Sequence, residues 1–218
     1  MPVRERASMR LAAVGMLLCA LAWVPEKGAL DRYLCELDPG PPVRVRVYQV
    51  RCARRTAVGP EFSCRHRGSM ASAADIDRDG RLDLLVLVRK ATRYDPRPGW
   101  RPFVYTLRDG EWVPKWLGSR LGRPLLEAAL VRTPAGVRLL SIEDFGDART
   151  GFTLYHWRGF GFWGEWTGHA EPAFSDLQVV DEEGDGVDEV SVSLGERRAL
   201  YRYRDGGYVR AASIEGRR

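Results

Sequence analysis

The chain has 218 residues, is 44% hydrophobic and 29% charged, and carries a formal net charge of +5 with 23 glycines and 13 prolines. This composition describes one or two globular domains and excludes a collagen, a coiled coil and a polytopic membrane protein. Among 34 basic residues only Lys27, Lys90 and Lys115 are lysine, so the basic excess reads as a coding preference for arginine. Arginines dispersed among acids do not form the stripe that nucleic-acid binding requires, and no nucleic-acid partner is expected.

Residues 1 to 10 carry Arg4, Arg6 and Arg10 against Glu5, and an apolar run follows from Leu11 to Val24. A basic segment followed by an apolar one is the pattern of a secretory signal, and the run is shorter than the ~18 to 20 residues of a bilayer-crossing helix. Ala20-Leu21-Ala22 offers a small-x-small cleavage pattern, which predicts a signal peptide over residues 1–22 and an extracytoplasmic protein. An uncleaved signal anchor, leaving a membrane tether, is the alternative. Loss of residues 1–22 removes three arginines and one glutamate and lowers the net charge from +5 to +3.

Export favours disulfides. Cys35, Cys52 and Cys64 remain, an odd number, and neither a CxxC pair nor zinc spacing is present. A Cys52–Cys64 bond is expected to tie a loop after the strand-like Val43 to Val50, with Cys35 left over. Pairing of Cys35 with either of the others stays open.

Residues 75–83 place Asp75, Asp77, Asp79 and Asp83 at relative positions 1, 3, 5 and 9, with Gly80 at position 6. Residues 181–189 repeat the register with Asp181, Glu183, Asp185 and Glu189 around Gly186. Alternate carboxylates converging on one point suit a hard cation such as Ca²⁺, and the glycine permits the turn that brings in the seventh carbonyl, here Arg81 and Val187. Acidic surface turns are the plainer reading, weakened by the recurrence of the register. An EF-hand is excluded, because position 12 is Val86 or Val192 rather than glutamate. Strand-like runs follow as well, Leu84 to Val88 and Val190 to Leu194.

A second signature recurs as Tyr105 to Trp112, Tyr155 to Phe162 and Tyr201 to Tyr208, each an aromatic, an arginine three residues on, a turn and another aromatic. Asp109-Gly110 and Asp205-Gly206 are favoured hairpin turns. Trp116 and Gly118 recur as Trp166 and Gly168. Aligning Gly136 with Gly80 and Gly186 gives a middle unit whose loop positions, Val131, Thr133, Ala135 and Leu139, lack carboxylates. Glu143, Asp144 and Asp147 follow in that unit out of register and read as a solvated turn.

A period of about fifty residues with a loop, strands and a closing hairpin predicts one small antiparallel sheet per repeat. The expected class is all-β, three to four small antiparallel sheets forming a partial or small β-propeller. Residues 23–67 would form an N-terminal segment with an added strand, and residues 68–122, 123–170 and 171–218 three repeats. The pattern resembles the FG-GAP/VCBS family of β-propeller repeats, most specifically in the two acidic loops, with Glu for Asp at Glu183 and Glu189. That resemblance implies structural Ca²⁺ held by these loops. Family propellers commonly close with more repeats than this chain carries, so either a compact bundle of sheets or completion by self-association is expected.

For function, an exported non-catalytic module binding a protein or glycan is favoured over a glycan-processing enzyme or lectin-like domain. Trp100, Trp112, Trp116, Trp157, Trp163 and Trp166 could stack on sugars, but aromatics that recur with the repeat read as inter-sheet core, whereas Trp100, in a non-repeating insertion, is the better candidate for an exposed contact. Carboxylates free for acid–base work would be Glu143, Asp144, Asp147, Glu165 and Glu171, with no spacing that singles out a pair. His66, His156 and His169 are isolated.

Overall fold

The computed structural model describes residues 32–211 except 52, 94, 119 and 173, with the backbone alone at 169–172. The signal segment and Cys52 lie outside the described residues. Sixteen strands are described, and no helix. The first blade holds β1 (Arg32–Asp38), β2 (Val43–Arg51), β3 (Arg54–Ala57) and β4 (Phe62–Cys64). The second holds β5 (Arg67–Ala74), β6 (Asp83–Lys90), β7 (Gly99–Arg108) and β8 (Glu111–Leu117). The third holds β9 (Leu125–Thr133), β10 (Gly136–Gly146), β11 (Arg149–Trp157) and β12 (Phe162–Pro172). The fourth holds β13 (Phe174–Val180), β14 (Glu189–Leu194), β15 (Arg197–Arg204) and β16 (Gly207–Arg210).

All four sheets are antiparallel, and the last three are simple meanders in chain order. Together they make a four-bladed β-propeller, in which the first strands of successive blades lie side by side: β1 by β5, β5 by β9, β9 by β13. One chain therefore supplies four sheets. The N-terminal segment contributes a whole blade rather than one added strand, with Phe62 to Cys64 paired to β2 beside β3.

Burial follows the sequence pattern. In β6 the run Leu84 to Val88 is buried throughout, because its side chains alternate between two neighbours. Leu84, Val86 and Val88 join Val43, Val45, Val47 and Phe62 of the first blade, while Leu85 and Leu87 join Leu125, Leu130 and Leu139 of the third. A strand sandwiched between two blades is apolar on both faces. Blades at the ends of the series read differently: Val43, Val45 and Val47 are buried while Arg44 and Arg46 are exposed, and Val190 and Val192 are buried between the less buried Ser191 and Ser193. A third cluster, built on Phe152, Tyr201 and Tyr208, fills the junction of the third and fourth blades.

The predicted hairpins are present. Asp109 and Gly110 (φ 52° and 81°) join β7 to β8, and Asp205 and Gly206 (φ 50° and 85°) join β15 to β16. Positive φ at both central positions matches the right-handed twist of the strands. The middle unit turns over Pro134 and Ala135 between β9 and β10, so it has no loop, and its positions Val131 and Leu139 are fully buried core.

Three expectations need correction. Glu143 is not part of a solvated turn: it lies in β10 with no exposure, while Asp144 and Asp147 are exposed. Trp100 is not an exposed contact, since it pairs with Arg89 in the ladder and packs against the core between the second and third blades. Cys35 and Cys64 are free thiols, so the structure offers no support for a disulfide through either.

Candidate metal centre

The first acidic loop connects β5 to β6. Asp75 anchors it, accepting hydrogen bonds from the backbone N–H groups of Asp79 (3.1 Å) and Gly80 (2.9 Å), with Gly80 at φ 81°. Asp83 opens β6 with no exposure and closes the loop by accepting from the Ile76 N–H at 3.1 Å. This folding draws Asp75, Asp77 and Asp83 together, with one carboxylate oxygen of each within 4.8 Å of the others. Asp79 stays apart, accepting from the Arg81 N–H and pairing with the Arg81 guanidinium at 3.5 Å.

A cation already stands in this cluster. Lys115, on β8, places Nζ 2.8 Å from Asp77 Oδ2 and 3.0 and 2.9 Å from the two oxygens of Asp83. Burial opposes its charge, but hydrogen bonds and attraction from Asp77 and Asp83 prevail and hold the ammonium above the usual lysine pKa. The stand-in ammonium shows that the donor set suits a cation. Three carboxylates against one ammonium leave a formal charge of −2, the complement of one divalent ion. Asp75, Asp77 and Asp83 would hold such an ion.

Lys115 was not singled out from the sequence. The signal lay in the repeat: fifty residues on, beside Trp166, the equivalent position is Glu165. There the tight turn has no carboxylates and Glu165 pairs with Arg138 at 2.7 Å. Between these two units the charge at this position changes sign.

The second acidic loop, between β13 and β14, is arranged otherwise. Asp181 pairs with Arg32 of β1 and lies 3.4 Å from Arg132 of β9. Asp188, outside the predicted register, receives the Arg132 backbone N–H (2.6 Å) and its guanidinium. Glu183 pairs with Arg202 at 3.2 Å, Asp185 accepts from the Val187 N–H, and Glu189 accepts from the Glu182 N–H at 2.8 Å. Two arginines balance Asp181 and Asp188, and among the described residues no convergent carboxylate trio forms here.

Beside the first loop, Ile76, Asp77, Arg78, Val137, Trp157 and Arg158 line a cleft of about 340 Å³ between the second and third blades. Arg158 stacks on Trp163, its guanidinium 4.8 Å from the ring centroid. Phe160 (73% exposed) and Trp163 (48% exposed) form the exposed tip of that hairpin. The remaining recurrent tryptophans pack as core: Trp112 at the first junction, Trp116 and Trp157 at the second, Trp166 at the third.

Of the spare carboxylates, Glu143 is held by three hydroxyls, Tyr155 at 2.6 Å and Ser141 and Thr153 at 3.0 Å. Glu165 is committed to Arg138, and the Glu171 side chain lies outside the described residues. Neither a scan against protein-family models nor a comparison with curated proteins returns a match.

Proposed function

We propose that the chain is an exported, non-catalytic binding scaffold of the FG-GAP/VCBS type. Its propeller is stiffened by Ca²⁺ at the first acidic loop, and its loops are presented to a protein or glycan. The observation that carries this reading is the convergence of Asp75, Asp77 and Asp83, the last two of which already hold a cationic group, the Lys115 ammonium. Of the two loops, only the first brings three carboxylates together among the described residues, so calcium is assigned there, with the Arg81 carbonyl as a further donor. In the second loop Arg32 and Arg132 supply the positive charge. The cleft beside Asp77 and the exposed Phe160 and Trp163 are the surface offered to a partner, since Trp and Arg dominate binding hot spots.

Thermal melting in Ca²⁺ and in chelator tests the metal. An ion at a hundred times its Kd stabilises by about 2.7 kcal/mol, which for a domain of this size raises Tm by roughly 5 to 10 °C. Asp75→Asn should abolish the shift. Identical midpoints with and without Ca²⁺ would remove the calcium from this reading.

A further inference from the structure

We propose that Lys115 is a resident competitor for the divalent cation of the first loop, an internal ammonium that sets the cation's affinity. The inference rests on the calcium reading of that loop and adds the residue that tunes it. Lys115 Nζ contacts Asp77 Oδ2 and both oxygens of Asp83, two of the three carboxylates that would ligate the ion. Ammonium and divalent ion thus draw on the same oxygens, and each weakens the other's hold through repulsion and shared donors.

The residue type suits this role. A lysine carries one compact charge on a flexible stem and is released more readily than a guanidinium fixed through a planar fork. The chain, rich in arginine, uses lysine at the loop whose carboxylates converge and arginine at the loop whose carboxylates do not. Released ammonium also has a neighbouring site: Nζ already lies 5.8 Å from the centre of the Trp157 ring, close enough for a cation–π contact. Trp157 lines the cleft together with Asp77, so exchange at the loop is felt on the binding surface.

Calorimetric titration of the full protein with CaCl₂ provides the test. Lys115→Met should bind Ca²⁺ at least tenfold more tightly than the wild type, and Lys115→Arg at least tenfold more weakly. Without Ca²⁺ the Lys115→Met variant should melt lower than the wild type, because Asp83 loses its buried partner, and Ca²⁺ should restore it. A measurement on the unmutated chain accompanies these. Reductive ¹³C-methylation labels its three lysines, and Ca²⁺ should move the Lys115 signal while leaving that of Lys90 in place. Equal affinities in the wild type and Lys115→Met, or an unmoved Lys115 signal in a protein that binds Ca²⁺, overturn the inference and leave the calcium reading standing. Binding by Lys115→Met alone supports the inference and overturns the calcium reading of the natural chain. Absence of binding in both overturns the two together.

Discussion

Replacing Tyr155 by phenylalanine removes a single oxygen from the interior of the third blade. That oxygen donates to Glu143 Oε1 at 2.6 Å and accepts from the Gly122 N–H at 3.2 Å. Burial, with Glu143 beside it, pushes the Tyr155 hydroxyl above the ordinary phenol range, so it remains a donor at neutral pH. Glu143 has no exposure, and water does not replace a lost donor there. A hydrogen bond to a charged group contributes about 1.5 to 3 kcal/mol, which sets the expected loss for Tyr155→Phe near 2 to 3 kcal/mol. Urea unfolding followed by tryptophan fluorescence measures it, with Tyr203→Phe, at a partly buried position, as a control expected within about 0.5 kcal/mol of the wild type. In a Glu143→Gln background the same substitution should cost less, because the charged acceptor is gone. A loss below about 0.5 kcal/mol for Tyr155→Phe would refute the argument that the hydroxyls hold Glu143 in place.

Gly207→Ala should destabilise by about 1 to 3 kcal/mol, because a Cβ there would lie 2.2 Å from Trp166 Cε2; an unchanged urea midpoint would show that Trp166 moves aside freely. Burial pushes the Cys35 thiol up to about 12, so native alkylation by iodoacetamide at pH 8 should be roughly a thousandfold slower than that of an ordinary cysteine. A native rate within tenfold of the urea-unfolded rate would contradict this. Hydrogen bonds from Arg101 (2.5 Å) and Arg198 hold the Asp95 and Asp176 carboxyls below the ordinary aspartate value of 3.8. Being depressed, both contribute stability that is fully present above pH 3.8 and is lost as pH falls through their lower native values. Carboxyl NMR titration should find both below 3.8, and midpoints at or above it would reverse the sign.

Much of the fold was legible because burial imposes simple periods. Leu84 to Val88 is apolar without interruption since both faces of β6 meet another blade, and Val43 to Val47 alternates since one face does. The first blade was read as a single strand because Arg54 to Ala57 is short, polar and exposed on every residue, so no periodicity announces it. In the site, Asp75, Asp77 and Asp83 were legible as a local spacing. Their counter-charges were not, because Lys115 and Arg32 arrive from 32 and 149 residues away along the chain. Glu143 was misread through its neighbours Asp144 and Asp147. The cue lay across the ladder, where Ser141 faces Thr153 and both offer hydroxyls to its carboxylate.

The three apolar clusters fill the junctions between the first and second, second and third, and third and fourth blades. Among the described residues no such cluster joins the fourth blade to the first, where Arg32 reaches Asp181 instead. The outward faces of these two blades carry Arg44 and Arg46 on one and Ser191 and Ser193 on the other. They resemble the polar caps that end a linear stack of repeats. The propeller is thus a ring whose end blades meet at an ion pair, which gives it a built-in point of parting. Salt that screens the ionic clasp would loosen that one joint while the three greasy joints hold, so hydrogen exchange in β1 and β13 should quicken with ionic strength well before the rest of the barrel-like ring responds.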